Sequence, residues 1–269
     1  MFTMRTDLQS IRIQGAPGAG TVRMETNRIR RVRAFTIVEL LVVISIIALL
    51  ASLTVGLSSI ASRKSKESRM QGELNKLVTA IESYHAAIGS YPRDNPFTPA
   101  VNQLYYELSG TYFSRSGNQG FFSLPNRDQR MSSRAVEEFF HAPGFANSVS
   151  VDSGDKPKYT EEFKPEQVKR INQDPAFEVL VAPVKGPNQF THITDKPRVL
   201  PLAMKSADGT MVNPWLYDSS SAQRNNRESY DLWAVVVIGK NLVRFSNWES
   251  TPTVLPPKEG DQADLGSAR

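Results

Sequence analysis

The chain has 269 residues, 40% of them hydrophobic and 22% charged, enough for one medium domain with appendages or for two small ones. It contains no cysteine, which excludes disulfides and thiolate metal sites. Its formal charge of +5 resides in residues 1–34, where seven Arg face only Asp7 and Glu25; the rest nets zero, so no folded basic face for nucleic acid is implied.

Residues 1–34 form a basic leader, and Met24 offers a second possible start within it. From Leu40 to Ser62 no residue is charged. As a helix this run is roughly 34 Å long, against a hydrocarbon core of about 30 Å. Ser45, Ala48, Ala51, Ser52 and Gly56 are small residues that let other helices approach closely, or are incidental to a plain anchor. Two simple readings fit the run. A secretory signal would use Arg28–Arg33 as its basic start and Ser59-Ile60-Ala61 as its cleavage site. A single-pass anchor would need no cleavage. Neither explains Glu39, because a carboxylate at the edge of an apolar helix is costly unless it reaches the interface or is paired.

The segment Ala34-Phe35-Thr36-Ile37-Val38-Glu39, followed by L-L-V-V-I-S-I-I-A-L-L, resembles the processing site of type IV pilins and type II secretion pseudopilins. In that family a membrane aspartyl peptidase, the prepilin peptidase, cuts before the Phe and the new N-terminus is methylated. The resemblance implies a cut between Ala34 and Phe35, with Ala34 where the family usually has Gly. It further implies N-methylation of Phe35 and an assembly role for Glu39, which would pair with the Phe35 amine of a neighbouring subunit and so fix axial register. Basic residues flank both ends of the run, so the positive-inside rule favours a cytoplasmic leader only weakly. The family orientation is the same: a single pass through the inner membrane with a periplasmic head.

Beyond the run, Leu74, Leu77, Val78, Ile81, Tyr84 and Ile88 recur at three- and four-residue steps, an amphipathic stripe, while Ser65–Gly72 reads as polar all round and exposed. Gly89 and Pro92 are stop signals. One helix from Phe35 to Ile88 is expected, about 80 Å long at 1.5 Å per residue. The segment L-N-K-L-V-T-A-I-E-S-Y-H-A-A-I-G-S-Y-P, Leu74–Pro92, is similar to the helix end of major pseudopilins.

From Asn95 to Ala176 the chain reads as an irregular insertion with two short helices, Ser132–His141 and Pro165–Asn172; Phe121-Phe122 and Phe139-Phe140 point to some packing. Strand signals follow at Phe177–Pro183, Arg198–Met204, Tyr230–Gly239 and Leu242–Phe245, with Val235–Ile238 buried on both faces. Asn213-Pro214-Trp215-Leu216-Tyr217 and Tyr230-Asp231-Leu232-Trp233 resemble elements of the major pseudopilin head, with Asn213 and Leu216 departing from its pattern. The tail from Thr251 reads as loose.

The fold class expected is α+β: a long N-terminal helix, membrane-spanning in its first half, packed on a small antiparallel head. The segments are leader 1–34, membrane or filament-core helix 35–62, amphipathic continuation 63–89, irregular insertion 90–176, β head 177–250 and tail 251–269. His85, His141 and His192 lack metal-ligand spacing, and no nucleophile elbow, phosphate loop or His-Glu-x-x-His is present. Major pseudopilins carry a calcium loop after Y-D-L-W. Here only Asp231 and Glu249 are acidic between Tyr230 and Ser250, so no metal or other cofactor is assigned.

The reading is a pilin-like structural subunit of a type II secretion pseudopilus or related filament, not an enzyme. Its partners would be prepilin peptidase, other pilin-like subunits and the inner membrane. The alternatives are a membrane-anchored periplasmic binding protein that does not polymerise and an exported enzyme with a signal peptide.

Overall fold

The computed structural model describes residues 36–125, 129–171, 176–187, 206 and 209–256, without the side chains of 53–59. The expected strand Arg198–Met204 and His192 lie outside the described residues. By its contacts the chain divides into two units, 1–52 and 53–269.

Helix α1 spans Ile37–Ile88. Its first half is apolar all round. Every large hydrophobic side chain from Ile37 to Leu50 is exposed, from 44% at Val43 to 83% at Ile37. Ser45 and Ser52 turn their hydroxyls onto the carbonyls of Leu41 and Leu49, both at 2.7 Å, so their polar groups are satisfied within the helix. Among the described residues no helix is long and apolar enough to cross a membrane. The described side chains of the apolar run stop at Ser52 and resume at Ile60.

In the second half the expected stripe is buried, with one correction. It starts at Met70, which is fully buried inside the stretch read as polar all round, and continues through Leu74, Leu77, Ile81 and Tyr84. These positions follow the three- and four-residue steps of one helix face. The helix stops at Gly89, whose φ of +88° favours glycine and whose N–H bonds His85 O at 2.8 Å.

The segment read as an irregular insertion is largely regular. After α2 (Leu104–Ser109) come β1 (Thr111–Ser116), β2 (Gln119–Ser123), β3 (Arg130–Ser132), α3 (Ser133–Phe140) and β4 (Ser148–Ser150). The strands form one sheet in the order β3-β2-β1-β4, antiparallel except for the parallel pair β1–β4. Aromatic packing unites this sheet with its neighbours. Phe122 lies 5.1 Å from Phe145, Tyr106 stacks on Phe145 at 4.9 Å, and Phe139 stacks on Phe177 at 4.1 Å. The helix expected at Ser132–His141 is α3, capped by Ser132 Oγ accepting from Ala135 N. The helix expected at Pro165–Asn172 is a single 3-10 turn, Pro165–Gln167, running into β5 (Val168–Arg170). Buried, β-branched Val168 pairs with Leu180 of β6 (Glu178–Leu180), and this pairing wins over helix propensity.

The C-terminal sheet has the order β10-β9-β8-β7, all antiparallel: β7 (Leu216–Asp218), β8 (Asp231–Ile238), β9 (Asn241–Ser246) and β10 (Thr253–Val254). The two segments that resemble the pseudopilin head are paired neighbours, with Leu216 opposite Trp233 and Tyr217 opposite Leu232. Strand β8 is buried on both faces. Leu232, Ala234 and Val236 join the cluster containing the α1 stripe; Trp233 and Val235 join a second cluster with Val179, Val181 and Leu216. That explains its unbroken apolar run. The start of the tail is not loose: Thr253 and Val254 pair with Arg244 and Val243. The described structure is therefore α+β with small, mainly antiparallel sheets.

Candidate functional site at the start of α1

Of the residues singled out in the sequence, Ala34 and Phe35 lie outside the described residues, whereas Glu39 sits in the first turn of α1. Thr36 precedes the helix, and its carbonyl accepts the first helical bond, from Leu40 N at 3.2 Å. Glu39 Oε2 accepts from Thr36 N and from Thr36 Oγ1, each at 2.9 Å. In return, Thr36 Oγ1 lies 3.2 Å from Glu39 N, the geometry of a donated N–H. This is a reciprocal capping box, which ties two backbone N–H groups that the helix itself leaves without partners. The spacing Thr-x-x-Glu is the sequence signal for it, and it assigns Thr36 a role that the reading of Glu39 alone overlooked.

The arrangement gives the carboxylate a local function independent of any other chain. It fixes Thr36 as the cap and Ile37 as the first helical residue. A carboxylate in the first turn also faces the positive end of the helix dipole. The bonds to Thr36 all use Oε2. A cation approaching Glu39 would therefore meet Oε1 without breaking the box. Around the box, Ile37, Val38, Leu40 and Leu41 are all more than half exposed. A charged, capped end on a helix with no apolar partner of its own suits burial against other apolar helices or lipid.

The head offers no rival catalytic arrangement among its described residues. Glu107, a fully buried carboxylate, accepts from Tyr84 Oη and Ala146 N at 2.8 Å and from Asn147 N at 2.9 Å. Burial pushes its pKa up, against the opposing pull of those three bonds. It ties α1 to α2 and to the loop before β4, a positioning role. Asp94 accepts from the backbone of Ser219 and Ser220, and Asp231 from that of Asn225 and Asn226. These acids hold the β7–β8 loop by its own N–H groups. Among the described residues no group of three or more His, Asp or Glu could hold a metal. His85 stacks on Tyr91 at 4.2 Å, and His141 packs edge-on against Phe97 at 4.4 Å.

Comparison with known proteins matches residues 29–55, about a tenth of the chain, to the prokaryotic N-terminal methylation motif. No curated protein and no solved structure matches. The matched segment contains Ala34, Phe35, the Thr36–Glu39 box and the exposed apolar turns that follow. The match supports a type IV pilin-like precursor processed by a prepilin peptidase, a class whose members are structural rather than enzymatic.

Proposed function

We propose that the chain is a pilin-like filament subunit, with a type II secretion pseudopilus as the favoured assembly. The precursor is cut between Ala34 and Phe35, and Phe35 is N-methylated. Residues 35–62 anchor it in the inner membrane, leader in the cytoplasm and head in the periplasm, until assembly buries the same helix in the filament core. The observation that supports this reading is the methylation motif lying on a helix whose apolar side chains are exposed all round. The lack of cysteine favours the secretion pseudopilus over pilins that pin their C-terminal region with a disulfide.

On this reading Glu39 has two tasks. Oε2 holds the capping box through Thr36, and Oε1 receives the methylated Phe35 amine of a neighbouring subunit. A buried carboxylate left without its partner is costly, so wrong axial registers are penalised more than the right one is strengthened.

Mass spectrometry of the N-terminal peptide, on protein made in its own host, tests the proposal. A mature chain starting at N-methyl-Phe35 is the expected result. An intact leader would point to an anchored protein that does not polymerise. A start near Ser62 would make the apolar run a signal peptide and end the filament reading. Glu39→Ala should process normally and fail to assemble; wild-type assembly would remove the register role.

A further inference from the structure

The head nets close to zero charge, but its cations are not evenly spread. We infer that a basic collar around residues 63–69 of α1 binds anionic phospholipid headgroups, an inference that rests on the membrane-anchored reading above. The stripe Met70, Leu74, Leu77 and Ile81 extends back by seven residues to Arg63. There the buried stripe ends and a basic one takes over. The Arg63 guanidinium lies flat over Gly239, in the turn between β8 and β9: a Cβ on Gly239 would sit 2.9 Å from Nη2 and 3.0 Å from Cζ. Lys240 follows in that turn. Two residues before Gly239, Val237 N donates to Lys185 O at 2.9 Å, which brings the loop carrying Lys185 alongside. Lys185 in turn lines one groove with Arg69 and Lys169.

Six exposed cations come from four stretches of sequence: Arg63 packs on the turn that carries Lys240; Arg69, Lys169 and Lys185 line one groove; and Lys66 lies three residues from both Arg63 and Arg69 on α1. Among the described residues three carboxylates stand nearby, and Glu73 is already engaged with Lys76 at 2.9 Å and with Gln167. Glu67 is engaged with Lys64 at 3.8 Å, and Glu166 lines the groove. Among the described residues none of the six cations has a carboxylate partner.

The occupant is set by where the collar falls in the chain. The uncharged run ends at Ser62 and Arg63 is the next residue. Once the run is inserted, Arg63 and Lys66 stand at headgroup level, where long basic side chains place their heads among phosphates while their stems stay in apolar surroundings. A basic cluster after the span also works against the positive-inside signal of the leader, so it carries a topological cost that a lipid contact offsets.

The chain has no cysteine, so Asn241→Cys places one fluorophore beside the collar. The full-length labelled protein is reconstituted into vesicles of phosphatidylcholine alone or of an equal mixture with phosphatidylglycerol. Energy transfer to headgroup-labelled lipid is then read. Transfer should rise on the anionic vesicles and fall back in high salt. It should also fall in a variant with Arg63, Lys66, Lys185 and Lys240 changed to Gln, each loss weakening head association about fivefold. The double variant Lys66→Gln/Lys240→Gln leaves the Arg63–Gly239 packing intact, and a drop there excludes misfolding as the cause. Equal transfer on both vesicle types, with the protein still floating with them, would overturn the collar alone. Failure to float with either would overturn the anchor and the collar together. Charge-dependent self-crosslinking of the unlabelled Asn241→Cys protein through its new thiol, without lipid dependence, would reassign the face to a second copy and end the lipid proposal.

Discussion

The two halves of α1 solve opposite problems with similar side chains. From Ile37 to Leu50 the large apolar residues point in every direction and all are exposed. From Met70 to Ile88 they keep to one face and are buried or half-buried. A helix with a single apolar stripe is satisfied by its own domain. A helix apolar all round has no such partner within the described chain and calls for an apolar surrounding supplied from outside. Helix periodicity, more than hydrophobicity, separates the half buried in its own domain from the half left exposed.

The sharpest way to break the comparison is to change one isoleucine in each half. Ile81 is fully buried, and Ile81→Ala should cost the head about 2–5 kcal/mol in guanidinium unfolding of the full chain in detergent. Ile47 is 58% exposed, and Ile47→Asp should leave that unfolding midpoint unchanged. In a bilayer insertion assay the same substitution should cost about 3–4 kcal/mol. A head destabilised by Ile47→Asp would show that the first half has a partner within the chain after all.

Glu107 sharpens the comparison, because it fastens the second half of α1, through Tyr84, to the loop at Ala146 and Asn147. Glu107→Ala should cost about 2 kcal/mol by leaving buried donors without an acceptor. The pH dependence has a definite sign. Burial raises the folded pKa above the ordinary 4.5, so the folded state holds the proton more tightly. The stability linked to this group is fully present below pH 4.5 and is lost as the pH rises through the raised value. Glu107→Gln should flatten that part of the profile, and an unchanged slope between wild type and variant would show that Glu107 does not titrate across it.

What was legible in the sequence follows the same division. The stripe from Leu74 and the strands at 230–239 and 242–245 have clear periods or long apolar runs, and the structure contains them. Met70 was hidden because Arg69, Gln71 and Gly72 surround it, and one apolar residue carries no period. The sheet of β1 to β4 was illegible for a different reason. Its strands have three to six residues, and segments such as Thr111–Ser116 mix Ser and Arg with aromatics. Their order comes from long-range contacts among Tyr106, Phe122 and Phe145, which no local window contains. At the candidate site the motif was readable because it is contiguous, and the Thr36-x-x-Glu39 spacing was equally readable as a cap.

The smallest expected effect decides what Glu39 does. Thr36→Val removes the hydroxyl that bridges Glu39 N and Oε2, leaving the carboxylate in place. Loss of such a cap costs about 1 kcal/mol, confined to the first turn, so amide exchange should quicken at Glu39 and not at Ile81. The consequence for assembly separates the two roles. If Glu39 sets register by meeting a neighbour's amine, Thr36→Val should still assemble while Glu39→Ala should not. If both variants lose assembly to the same extent, the carboxylate acts through the helix cap, and the intersubunit pair is unnecessary. The two arms differ because Thr36 shares only one of the two proposed tasks.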